Sequence, residues 1–178
     1  ALEGIPCHLS IVGKLEENHV QKLKMHGVEY SAVHNIADGE MRRQYEDCDV
    51  LALVSTYEGF GMPIVEANAL GRPVLTSSVS SMPEVAGQAA CLVDPYDVQS
   101  IRQGLLKIIH DDSYREQLVK KGFENRKRFD PDAVAGQYAE LYHRVAGSKG
   151  QGLETVLKPL VRRKRADFRR RRGSFLSQ

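Results

Sequence analysis

Five consecutive apolar residues, Val50-Leu51-Ala52-Leu53-Val54, stand between a helix-period stretch and a glycine-rich turn. A run this short, bounded this way, reads as a strand buried on both faces, as in parallel sheets covered by helices. The same rhythm recurs. Residues 8–12 read as a strand ended by Gly13, residues 29–33 as a second, and residues 73–76 and 90–93 as two more. Helical spacing fills the intervals: residues 17–26 closed by Gly27, residues 39–46 with Asp38 as N-cap, and residues 63–70 with Pro63 in the first turn and Gly71 past the end. Strands and helices alternating in this way are βαβ units, so the expected fold is α/β, a Rossmann-like parallel sheet with helices on both faces.

After Pro95 the strand pattern stops. Residues 98–110, 113–128 and 131–146 read as C-terminal helices, with Asp112 and Asp130 as caps. The expected organisation is one domain over residues 1–146, a linker over 147–152 (GSKGQG starts with Gly147) and a basic tail over 153–178. Charge is divided along the same line: the net +2 of the 178 residues combines −6 over residues 1–148 with +8 over 149–178. Such asymmetry points to an anionic partner for the tail. Three readings of the tail stand. One is a basic amphipathic helix on an anionic membrane surface, built on Leu153, Val156, Leu157, Leu160, Val161 and Phe168 and kinked at Pro159. Another is a solvated tail, or a helix packed on a further domain. Nucleic acid is disfavoured, because no aromatic platform accompanies the charge.

No apolar run approaches a membrane span, and no secretory signal opens the chain. Cys7, Cys48 and Cys91 lie far apart among apolar neighbours, without metal or redox spacing, which reads as buried thiols of a reducing cytoplasm. The six histidines are scattered and read as surface or packing residues, and no metal site is expected.

In an open parallel sheet, ligands bind where strands end and loops enter the next helix. After the Val50 run comes Ser55-Thr56-Tyr57-Glu58-Gly59-Phe60-Gly61-Met62, leading into a helix. Two glycines allow close backbone approach, and free N–H groups at a helix start suit a phosphate. It is not the dinucleotide fingerprint, since Ile64 stands where a third glycine belongs. Glu58 and Glu66 flank the turn, and carboxylates beside an anion site suit a ligand carrying hydroxyls as well as phosphates, such as a nucleotide sugar. The plainer alternative makes Glu58 a helix cap and Glu66 a solvated or salt-bridged side chain.

The stretch STYEGFGMPIVEANALGRPV, residues 55–74, resembles the Glu-x7-Glu signature of the family four retaining glycosyltransferases. The resemblance runs on through Thr76-Ser77-Ser78-Val79-Ser80-Ser81-Met82-Pro83-Glu84-Val85-Ala86-Gly87 and Leu92-Val93-Asp94-Pro95. It includes Tyr45-x-x-Cys48-Asp49-Val50 and Ile11-Val12-Gly13, and covers roughly residues 5–145 in order. It implies the C-terminal, donor-binding half of a GT-B enzyme that transfers a hexosyl group from a nucleotide-diphosphate sugar with retention. No metal and no cofactor beyond the donor is implied. By resemblance Glu58 is the catalytic-site acid beside the donor sugar. Gly59, Phe60, Gly61 and Met62 surround the sugar and distal phosphate, and Glu66 accepts from the ribose hydroxyls. Pro83-Glu84 opens a short helix of architectural role.

The acceptor is a sugar, a lipid-linked glycan or a protein, and the expected location is cytoplasmic, with a peripheral place on the inner membrane face through the tail. The Arg and Lys that neutralise the leaving diphosphate in this family have no counterpart in the chain, and neither does the acceptor-binding domain. The chain as it stands, an N-terminally truncated domain on this reading, is therefore expected to be inactive alone. A noncatalytic module binding sugar nucleotides or a partner is the alternative; an epimerase or phosphorylase of the same fold is disfavoured by the Glu58-Gly59-Phe60-Gly61-Met62-Pro63 run.

Overall fold

In the computed structural model, which describes residues 1–147, the apolar runs pair in parallel, as strands joined by helical crossovers do. β1 (His8–Val12) and β2 (Glu29–Val33) pair from His8 opposite Glu29 to Val12 opposite Val33. β3 (Leu51–Leu53), β4 (Val74–Ser77) and β5 (Cys91–Val93) form a second sheet in that order. Between and after the strands lie α1 (Glu17–Met25), α2 (Asp38–Asp47), α3 (Met62–Ala69), α4 (Met82–Ala86), α5 (Val98–His110) and α6 (Asp112–Asn125). A 3-10 turn, Arg126–Phe129, follows α6, and α7 covers Pro131–Gly147. The fold is thus mixed α/β with parallel strands, as the alternation predicts, but its strands fall into two sheets.

The strand buried on both faces is β4, all four of whose residues are buried, and not the Val50 run. In β3 the middle residue Ala52 is exposed. The reason is position: β4 lies between β3 and β5, whereas β3 is the edge of its sheet. Successive β4 residues point to opposite faces and feed separate cores. Val74 packs in a cluster with Tyr45, Ile64, Ala67, Met82 and Val85 from α2, α3 and α4. Leu75 packs with Cys91, Val93, Leu105, Ile108 and Leu118 from β5, α5 and α6. Helices therefore cover both faces of this sheet.

Two caps differ from expectation. Helix α2 starts at Asp38 itself, behind Ala37, which makes no side-chain cap bond; Asp38 is left to act on the helix dipole from the first turn. Asp111, not Asp112, caps α6, accepting from the Tyr114 N–H at 2.9 Å. Asp130 meets its expected role, accepting from the N–H of Asp132 and Ala133 at 3.0 and 3.1 Å.

The chain divides into two compact units, Ala1–Phe129 and Asp130–Gln178. Within the second, Tyr138 and Tyr142 lie one turn apart on α7 with ring centroids 6.4 Å apart. The linker beyond Gly147 and the basic tail over 153–178 lie outside the described residues. Among the described residues no helix is long and apolar enough to cross a membrane.

Candidate functional site

The loop between β3 and α3 leaves the carboxyl end of its strand and turns at Gly61, whose φ of 103° lies in the left-handed region that favours glycine. Gly61 is the N-cap of α3, so the helix starts at Met62, with Pro63 within the first turn. A side chain at Gly61 would also crowd Ile64, whose Cδ1 lies 3.3 Å from the position of a Cβ. Among the described residues, the N–H groups of Gly59, Phe60, Gly61 and Met62 donate to no acceptor within the protein. Four consecutive unpaired donors lie at the positive end of a helix, an arrangement that suits an anion. Phe60 and Met62 are exposed there, and the Phe60 ring meets Phe129 edge-on at 5.6 Å.

Glu58 does not cap α3. Its Oε1 accepts from the Ser55 hydroxyl at 2.8 Å, which holds the carboxylate within the loop. The loop backbone is held from the segment following β4. Ser80 Oγ donates to the Glu58 carbonyl at 2.9 Å, and Ser81 Oγ lies 3.0 Å from that carbonyl and 2.8 Å from the Phe60 carbonyl. Ser80 takes up this position with a φ of 60°, an uncommon conformation for a residue with a side chain. Deeper in, the Ser77 hydroxyl donates to the Ser55 carbonyl at 2.7 Å.

Glu66, the fifth residue of α3, is half-buried and makes no salt bridge among the described residues. Its Oε2 accepts from the Tyr45 phenol at 2.6 Å, short and charge-assisted. Burial raises the pKa of the Tyr45 phenol, and the bond to Glu66 raises it further, so it remains a proton donor at any physiological pH. Beside it, the Cys48 thiol, pushed up chiefly by burial, lies 3.4 Å from the Tyr45 carbonyl.

Glu58, Gly59, Phe60, Gly61, Met62 and Glu66 therefore belong to one loop and helix start at the carboxyl edge of β3. The supporting residues Tyr45, Ser55, Ser77, Ser80 and Ser81 were not assigned to the site from sequence. For the serines a signal existed, since loops leaving adjacent parallel strands at the same edge are neighbours. Tyr45 stands in the Tyr45-x-x-Cys48-Asp49-Val50 stretch of the resemblance, but nothing in its place on a different helix, 21 residues before Glu66, points to the contact. Asp47-Cys48-Asp49 has Asp-x-Asp spacing at the end of α2; no group of three or more His, Cys, Asp or Glu able to hold a metal occurs among the described residues. A shallow cavity of about 470 Å³ lies at the opposite, amino ends of the strands, lined by Asp49, Arg72, Pro73, Arg115, Lys120 and Phe123, and shares no residue with this loop.

A family model described as glycosyl transferases group 1 matches residues 2–125. The O-antigen chain mannosyltransferase B of Escherichia coli is 36% identical over 107 residues, which is 60% of this chain and 28% of that protein. Among solved structures, a sucrose-phosphate synthase from Thermosynechococcus elongatus superposes with a TM-score of 0.72 at 23% identity, over 83% of this chain and 41% of that one. The Anabaena protein HepE in complex with UDP-glucose superposes with a TM-score of 0.63 at 24% identity, over 76% and 40%. The chain thus spans less than half the length of each of these proteins.

Proposed function

This chain belongs to the glycosyl transferases group 1 family, and on that premise we propose that it forms the donor side of a retaining, metal-independent transferase using a nucleotide-diphosphate sugar. The observation that carries the reading is the row of unpaired N–H groups from Gly59 to Met62 at the start of α3, with Glu58 and Glu66 on either side. In this reading the distal phosphate takes the N–H groups of Phe60, Gly61 and Met62, which supply hydrogen bonds and the positive helix end as negative charge grows on the leaving group. Glu58, held by Ser55, faces the donor sugar and is the catalytic residue of this half of the site. Glu66 accepts from the ribose hydroxyls, a use of a carboxylate familiar from dinucleotide folds. The UDP-glucose bound in HepE and the mannosyltransferase activity of the E. coli relative support a hexosyl nucleotide as the donor class. A sugar, lipid-linked or protein acceptor completes the reaction.

The test is a thermal-shift panel of UDP, GDP and ADP sugars on the full-length protein, run beside Glu66→Ala. A donor that raises Tm in the wild type should leave the variant unshifted. An equal shift in both removes Glu66 from the nucleotide site, and no shift with any nucleotide sugar overturns the donor reading.

A further inference from the structure

The hydrogen bond between Tyr45 and Glu66 joins two elements that no short-range sequence relationship connects. Tyr45 lies near the end of α2 and is 8% exposed, packed with Ile64, Ala67 and Val74. At the next residue, the Glu46 carbonyl accepts from Arg72 Nη2 at 2.6 Å, so the end of α2 is tied both to α3 and to the segment after it. The phenol is thus carried on a packed ring in an anchored turn, while the carboxylate it meets is half-buried at the edge of the proposed nucleotide site. A long carboxylate side chain left alone samples several rotamers. One that receives a 2.6 Å hydrogen bond from a fixed phenol has its plane set before any ligand arrives. The bond takes one acceptor position of Oε2 and leaves Oε1 entirely open, since no other group donates to Glu66 among the described residues.

We propose that Tyr45 is a positioning residue for donor recognition, its phenol orienting the Glu66 carboxylate so that its remaining acceptor positions meet the vicinal diol of the nucleotide ribose. The inference rests on the reading that Glu66 holds the ribose. It assigns to Tyr45 a role in telling a ribonucleotide from a deoxyribonucleotide, through Glu66 and without contact to the ligand.

The experiment measures Kd for UDP, GDP and ADP and for their 2′-deoxy counterparts on the full-length protein, taking the base that binds. Wild type should favour the ribonucleotide. Tyr45→Phe keeps the buried ring and removes only the donor. It should reduce that preference by about three- to tenfold, with a smaller loss for the deoxy form, which keeps only the 3′ hydroxyl. Combining Tyr45→Phe with Glu66→Ala should give the preference of Glu66→Ala alone, because both changes remove the same contact. A purely structural role weakens both nucleotides equally, and that result overturns the proposal. If Tyr45→Phe keeps the wild-type preference while Glu66→Ala loses it, Tyr45 is not a positioning residue and the ribose reading survives. If neither variant changes the preference, the ribose reading falls and this inference with it. Should Tyr45→Phe fail to fold, Tyr45→Met, which also removes the donor and fills the space with a flexible apolar chain, is measured instead: the ribose preference should drop, and a retained preference overturns the proposal.

Discussion

Asn125, the last residue of α6, donates through Nδ2 to Asn68 Oδ1 of α3 at 2.9 Å, in a seam where both side chains are buried. The same amide lies 2.9 Å from the Val85 carbonyl of α4, and its Oδ1 accepts from Arg128 Nη1 at 2.8 Å. One side chain thus ties α6 to α3 and α4 on the Val74 face of the sheet, α3 being the helix whose start carries the unpaired N–H groups. Asn68 Nδ2 is already without a partner among the described residues, so the seam has no spare acceptor to share. Asn125→Ala strands the Asn68 oxygen and the Val85 carbonyl and should cost about 2–3 kcal/mol. Urea denaturation measures it, and a loss below about 0.5 kcal/mol would show that water takes over these bonds.

Gly104 lies inside α5, where replacement by Ala ordinarily gains about 1 kcal/mol. Here a Cβ would sit 2.6 Å from Val93 Cγ1 and 2.7 Å from Leu75 Cδ1, both in the buried core of the second face. Overpacking of about 1–3 kcal/mol outweighs the helix gain. Gly104→Ala should therefore lower Tm, while Gly136→Ala, where a Cβ meets nothing within 4 Å, should not.

Ser81 reaches the carbonyls of both Glu58 and Phe60 with one hydroxyl, holding the loop that presents the unpaired N–H groups. Ser81→Ala should weaken nucleotide-sugar binding by about three- to tenfold with little effect on the unliganded Tm, since the core clusters do not include it. Calorimetric titration with the donor found in the thermal-shift panel checks this. A drop in unliganded stability with unchanged affinity would make Ser81 a structural residue only.

The Asp111 carboxyl is held below its ordinary pKa, chiefly by the Tyr114 N–H and next by the Ser113 hydroxyl. Because the folded value lies below the unfolded one, near 3.9, its contribution is complete above that pH. It is lost as pH falls through the folded value. Asp111→Asn keeps a capping oxygen but cannot titrate. Its Tm should match wild type at pH 7 and fall less steeply below about pH 4; identical acid limbs would mean that the cap bonds do not distinguish the two protonation states.

Much of the fold could be read from the chain because its elements are locally coded. Strands β1 and β2 occupy the residues their apolar runs predict, and α5 spans the residues its spacing predicts. The glycine turn also announced itself, since Gly59, Gly61 and Pro63 mark a loop entering a helix whatever surrounds them. Cap positions were legible only to within a residue, as Asp38 and Asp111 show, because neighbouring acidic and polar residues compete for the same role.

By itself the sequence determined the parallel α/β class, the Glu58 to Glu66 segment and the likeness to glycosyl transferases of group 1, all carried by residue patterns read along the chain. Only the tertiary structure decided which strand is central, that the strands divide into two sheets, and what holds the two acids. Tyr45 reaches Glu66 from another helix, and Ser80 and Ser81 hold the Glu58 loop from another strand end. Such contacts depend on how helices dock on the two faces of β4, and no local pattern encodes the docking.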